Sequence, residues 1–249
     1  MKLETRTEGA GGTPLLIAHG LYGSARNWGV IAKRLSDRGQ VTAVDMRNHG
    51  GSGWDADHSY PALADDLAET IEDQWDVLGH SMGGKAAMAL ALRHPEKVRR
   101  LVVADIAPVG YAHSQQQYID AMRALDLSGV ESRRDADQRF RALVPEDGIR
   151  AFLLQSLDIA EKKWRLNLDV LEAEMPKIVG WPDDLQGTFE RPVLFLSGGD
   201  SDYVQDAHRA DIRAFFPKAR FAKIPGTGHW LHAEKPREVE ASVRAFLDA

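Results

Sequence analysis

Residues 75–93 read WDVLGHSMGGKAAMALALR. The stretch divides at its glycines. Trp75–Leu78 is an apolar run of strand length. Gly84–Arg93 is rich in Ala and Leu and stops before His94-Pro95, because a proline disfavours helical backbone in the residue before it. The join, Gly79-His80-Ser81-Met82-Gly83, is G-x-S-x-G followed by a further glycine. A serine held between a strand and a helix sits in a strained turn, and flanking glycines let the backbone pass where a Cβ would clash. Its hydroxyl then projects from the sheet edge, over a helix N-terminus that favours developing negative charge. The pentapeptide alone can arise by chance in a glycine-rich turn. Between a strand and a helix it points to a nucleophile, Ser81.

Outward from this unit the same alternation repeats. Leu15–Ala18, Val41–Val44, Leu101–Ala104, Val193–Leu196 and, more weakly, Phe221–Ile224 are further apolar runs. They are continuous, which implies burial on both faces and a mostly parallel sheet. Helical patterns lie between them, over Pro61–Asp73, Arg209–Phe216 and Pro236–Leu247. Strand followed by helix, repeated, predicts an α/β fold with a doubly wound sheet. One region breaks the rhythm. Between Pro108 and Arg191 no strand is evident, but Gln115–Leu125, Asp135–Leu143, Ile149–Ser156 and Leu166–Met175 carry helical patterns. The expected division is a core of residues 1–107 and 192–249 with a helical cap over 108–191. Such an insertion lies on the carboxyl side of the sheet, where open α/β sheets bind ligands, and it would supply an apolar pocket wall.

Composition narrows the function. The chain has 249 residues, no cysteine and a formal net charge of -6. Disulfides, thiolate metal sites and cysteine nucleophiles are excluded. No Lys/Arg stripe suggests nucleic acid. The N-terminal MKLETRTEGAGG lacks the apolar core of a signal peptide, and no run reaches the roughly 18 apolar residues of a membrane span. The expectation is a cytoplasmic protein. There is no metal-ligand spacing and no G-x-G-x-x-G after a strand, so no cofactor is expected. Oligomeric state is not legible.

Two further motifs complete a candidate site. His19-Gly20-Leu21 follows the first clear strand, where the residue after H-G donates a backbone N–H to an oxyanion together with the residue after the nucleophile. That predicts Leu21 and Met82 as the oxyanion hole, with His19 bracing the loop. Gly226-Thr227-Gly228-His229-Trp230 follows the last strand, where a general base can reach the turn. His229 is the candidate base, His232 a weaker one, and His208 at most a supporting residue. Asp45 and Arg47 read as loop-holding residues. Tyr111, Trp164, Trp181 and Trp230 read as pocket or core aromatics. Arg123 reads as part of a solvated face, with an acidic head group as its alternative partner.

At this point the chain resembles the α/β hydrolases with a helical cap, and among them the YbfF-type bacterial esterases and their mitochondrial relatives. HGLYGS (19–24), VDMRNHG (44–50), GHSMGGKA (79–86), VADIAPV (103–109), IVGW (178–181), GGDSDYV (198–204) and GHWLHAEKP (228–236) carry the resemblance over nearly the whole chain. It implies a carboxylesterase of short- to medium-chain acyl esters, with thioesters such as acyl-CoA as a further class. A perhydrolase or a carbon–carbon bond hydrolase shares the triad. A non-catalytic ligand-binding receptor is the rival from another class. Dehalogenases and epoxide hydrolases place an aspartate where Ser81 stands.

The acid is the open question. In most of this superfamily it follows the strand before the histidine strand, as G-x-x-D-x-x-V. Laid on Gly198–Val204, that pattern puts Ser201 at the acid's position, flanked by Asp200 and Asp202. In YbfF-type segments asparagine usually stands where this chain has Asp200, and an amide carries no charge to stabilise an imidazolium. Asp105 ends the strand after the turn. Adjacent strands lie about 4.8 Å apart, so an acid there is displaced by about one strand spacing. It also emerges from a buried strand and needs a partner. The reading favours Asp105, with Asp200 and Asp202 as alternatives.

Overall fold

The computed structural model describes residues 1–249. Nine strands form: β1 (Glu4–Gly12), β2 (Leu15–Ala18), β3 (Gly39–Asp45), β4 (Trp75–His80), β5 (Val98–Ala104), β6 (Leu157–Asp158), β7 (Lys163–Trp164), β8 (Val193–Gly198) and β9 (Ala219–Ile224). Seven of them make one sheet in the order β1-β3-β2-β4-β5-β8-β9. Every pairing is parallel except β1 with β3.

The continuous apolar strands explain how the sheet is covered. Successive side chains point to opposite faces. Leu16, Val77, Val103 and Phe195 accordingly pack in one core with the helices Tyr60–Thr70 and Met82–Arg93. Their neighbours Leu15, Ile17, Leu78, Val102 and Leu194 pack in a second core with the helices Gly29–Leu35 and Pro236–Leu247. The expected layering, a mostly parallel sheet flanked by helices, follows from that double burial.

One strand was not expected, and one strand expectation is corrected. β1 carried no apolar signal because all nine of its residues are exposed; it is an edge strand held by backbone bonds to β3. The region between β5 and β8 is not free of strand, because β6 and β7 form a two-residue antiparallel ribbon too short to show a period. The region otherwise holds the helices Gln116–Ala124, Arg133–Phe140, Asp147–Leu154, Leu168–Ala173 and Met175–Val179. The single helix expected over Leu166–Met175 breaks at Glu174, and Pro176 lies in the first turn of the next helix, where a missing N–H costs nothing. Apolar residues of these helices, including Ile119, Phe140, Leu153 and Ile178, join the core that covers the first sheet face.

Steric contact fixes the turn after β4. A Cβ on Gly83 would stand 2.4 Å from the His19 carbonyl oxygen, and one on Gly79 would stand 2.2 Å from that of Gly83. The helix can therefore begin directly against the end of β2 only with glycine at both positions. Gly83→Ala is expected to cost about 3 kcal/mol through this overpacking, a fall of about 6–12 °C in Tm for a chain of this size. Gly148, in the helix Asp147–Leu154, would place its Cβ in open space. Gly148→Ala should raise stability by about 0.5–1 kcal/mol, and calorimetry of the two variants side by side checks both signs.

Candidate active site

Ser81 sits at the turn with φ 53° and ψ -123°, a left-handed conformation costly for a residue with a Cβ. The strain lifts its hydroxyl off the sheet toward the loop after β9. There His229 Nε2 lies 3.0 Å from Ser81 Oγ. On the other side of the ring, His229 Nδ1 lies 2.8 Å from Asp105 Oδ2. Since a carboxylate oxygen only accepts, Nδ1 carries the proton and Nε2 is left to accept from the serine hydroxyl.

Asp105 is fully buried, at 0% exposure, and has a left-handed φ of 51°. Its second oxygen, Oδ1, accepts from the Gly198 N–H at 3.0 Å. Oδ2 accepts from Ser201 Oγ at 2.5 Å as well as from His229. Ser201, at the position where the usual pattern would carry the acid, thus donates to Asp105. Asp200 and Asp202 are exposed, and neither carboxylate bonds to His229. The Asp200 amide donates to the Thr227 carbonyl at 2.9 Å, which ties the turn to the histidine loop.

Two further contacts hold His229, one on its ring and one on its backbone. Tyr203 stacks on it, with ring centroids 3.9 Å apart and planes 19° from parallel. The Tyr203 phenol bonds with His113 at 2.8 Å, and Tyr111 OH donates to the Tyr203 carbonyl at 2.7 Å. His80 Nε2–H donates to the His229 carbonyl at 2.8 Å, anchoring its backbone. Burial, with the neighbouring histidines His232 and His229 adding to it, holds His80 well below the usual imidazole value, so it stays neutral in this role. Sequence reasoning did not single out His80; the only signal available was that it is the variable residue before the serine.

Leu21 and Met82 border the cavity over Ser81, and neither backbone N–H has an acceptor within the protein. Met82 opens the helix, so its N–H has no intrahelical partner. His19 braces the loop: its Nδ1–H donates to the Gly20 carbonyl at 2.8 Å while Nε2 accepts from the Met46 N–H at 3.0 Å. His232 does not approach Ser81; it stacks on Trp28 at 4.4 Å, and burial pushes its pKa down to about 3. His208 meets only the Tyr111 ring edge and the Gln205 amide. Asp45 accepts from the Ala25 and Gly51 amides, and Arg47 pairs with Asp66 at 2.6 Å. Arg123 pairs with Asp169 and Glu172. Trp164 donates to the Met122 carbonyl, Trp181 packs on Tyr60 and Phe215, and Tyr111 and Trp230 face the cavity.

The cavity over Ser81 measures about 210 Å³, and most of its lining residues are hydrophobic, among them Ile106, Ile149, Phe152, Ile178 and Val179. No group of three or more His, Asp or Glu side chains is placed to hold a metal ion. No helix is long and apolar enough to cross a membrane.

Comparison with known proteins gives the family. The model of the alpha/beta hydrolase fold family matches residues 13–236. Esterase YbfF of Escherichia coli is 40% identical across 100% of both chains. The sn-1-specific diacylglycerol lipase ABHD11 of Mus musculus is 40% identical over 94% of this chain and 80% of its own. Among solved structures, a marine microorganism esterase superposes with a TM-score of 0.94 at 37% identity, over 98% of this chain and 99% of that one.

The contacts of Ser201 lead to a test. A hydrogen bond to a charged group contributes about 1.5 kcal/mol or more, so Ser201→Ala should slow the reaction of Ser81 with a fluorophosphonate probe about tenfold. Asp200→Asn and Asp202→Asn should label at the wild-type rate. A slow Asp200 or Asp202 variant beside a normal Ser201→Ala would reverse the assignment.

Proposed function

The chain belongs to the α/β-hydrolase fold family and is an enzyme of its esterase/lipase type. From that premise we propose that it is a serine carboxylesterase acting on short- to medium-chain acyl esters through Ser81, His229 and Asp105. The observation that carries this reading is the unbroken line from Ser81 Oγ to His229 Nε2 at 3.0 Å and from Nδ1 to Asp105 at 2.8 Å, opening on an apolar cavity.

In this mechanism Ser81 Oγ attacks the ester carbonyl while His229 Nε2 takes its proton. Asp105 holds the ring in the tautomer that leaves Nε2 free, and it stabilises the imidazolium. The Leu21 and Met82 N–H groups receive the oxyanion of the tetrahedral intermediate. His229 passes its proton to the leaving alcohol, leaving an acyl-enzyme on Ser81. Water, deprotonated by His229, then attacks the acyl carbonyl and releases the acid and the free serine. The cavity lies below the roughly 300–1,000 Å³ common for drug-sized ligands, which supports small acyl groups. Acyl-CoA thioesters present the same carbonyl to the same groups, and their turnover is the natural second substrate test.

Purified protein should show an acyl-enzyme burst with p-nitrophenyl acetate or butyrate. Ser81→Ala should show neither a burst nor fluorophosphonate labelling. Asp105→Asn should lower kcat by about 10⁴-fold, because an amide favours the wrong imidazole tautomer. No burst with any short or medium ester would remove the esterase reading, and near-normal kcat in Asp105→Asn would remove the acid.

A further inference from the structure

Lys85 lies in the first turn of the helix Met82–Arg93, and its backbone N–H donates at 3.0 Å to the carbonyl of Ser81, the residue that caps that helix. It is among the most deeply buried side chains of the protein, at 1% exposure, yet no carboxylate pairs with it. Its Nζ donates to the Val179 carbonyl at 2.9 Å and to the Gly180 carbonyl at 2.5 Å. The rings of Tyr111 and Tyr60 face it at 4.8 and 5.7 Å. The neighbouring bonds extend the same grip. Tyr60 OH donates to the Ile178 carbonyl at 2.6 Å, and the Tyr111 N–H donates to that of Val179 at 3.0 Å.

Three consecutive carbonyls at the end of the helix Met175–Val179 are thus caught by core residues and by Tyr111. The last carbonyls of a helix lack partners of their own and carry its negative end, so a cation suits them. The placement is nonetheless costly, since a desolvated ammonium without a counter-charge is unfavourable and an apolar side chain of similar length would fill the space. The consequence lies in the cavity: Ile178 and Val179, two of the three residues whose carbonyls are gripped, line its wall beside Tyr60 and Tyr111.

We propose that Lys85 is a positioning residue for substrate selection, pinning the Ile178–Gly180 segment to the helix that begins after Ser81 and so fixing the wall that meets the acyl chain. The role rests on the esterase reading of the same cavity. Burial also pushes the ammonium down to about 7. The titratable groups facing it are the phenols of Tyr60 and Tyr111, both raised by burial and neutral in this range. Lys85 is therefore the group of this cluster that changes charge near neutrality. Below its pKa the bonds to Val179 and Gly180 are charge-assisted and strong; above it they weaken and the wall loosens.

The experiment combines a p-nitrophenyl ester series from acetate to octanoate with hydrogen exchange of the peptide spanning 175–181, on wild type and Lys85→Met, at about pH 6 and about pH 8.5. In the variant, KM for the medium-chain esters should rise about fivefold while kcat for the acetate ester stays within about twofold. Exchange in the 175–181 peptide should quicken about tenfold. Wild type at the higher pH should drift toward the variant's chain-length ratio and exchange, once corrected for intrinsic rates, whereas the variant's ratio should not change with pH. An unaltered ratio and unaltered exchange in Lys85→Met would overturn the proposal. So would a wild-type ratio and exchange that ignore pH, a measurement that needs no variant to fold. Absence of ester turnover altogether would instead strike the esterase reading, while the exchange data would still report on the grip.

Discussion

The structure turns on a carboxylate that water does not reach. Asp105 sits at the end of β5 with no exposed surface, and it keeps three donors around it: the Gly198 amide, the Ser201 hydroxyl and the His229 ring. A buried carboxylate is tolerated only when its oxygens are satisfied. Two of these donors come from the turn after β8 and the third from the loop after β9, so the parallel register of β5 with β8 and of β8 with β9 must deliver all of them together. The left-handed backbone at Asp105 and at Ser81 is the local cost of that convergence, held in place by glycine packing at Gly79 and Gly83.

What was legible in the sequence follows from how local each signal is. The sheet strands buried on both faces announce themselves as apolar runs, and the helix after Ser81 announces itself by composition and a proline stop. β1 does not, because an exposed edge strand needs only backbone bonds and ETRTEGAGG carries no apolar period. The two-residue ribbon of β6 and β7 is shorter than any period. At the site, Ser81 and His229 stand in turn motifs whose glycines are visible in one dimension. Asp105 was favoured on two grounds, the usual spacing falling on Ser201 and a carboxylate emerging from a buried strand that needs a partner. His80 and Lys85 were not legible, because their contacts lie 149 and about 95 residues away along the chain and nothing local marks them.

The two possible seats for the acid also exclude each other. Ser201 Oγ lies 2.5 Å from Asp105 Oδ2. A carboxylate at Ser201 would bring two like charges into contact in a space that excludes water, and such pairs ionise only at large cost. A chain of this fold must therefore choose β5 or the turn after β8, and the unused seat must become neutral. A serine suits that neutral seat because its short side chain can donate to the carboxylate that remains. The same hydroxyl also accepts from the Tyr203 N–H at 3.3 Å, which helps set the ring that stacks on His229. A carboxylate one strand away thus does more than relocate a charge. It converts GGDSDYV from the source of a carboxylate into a cradle that supplies two donors to Asp105, from Gly198 and Ser201, and stacks Tyr203 on the third, His229.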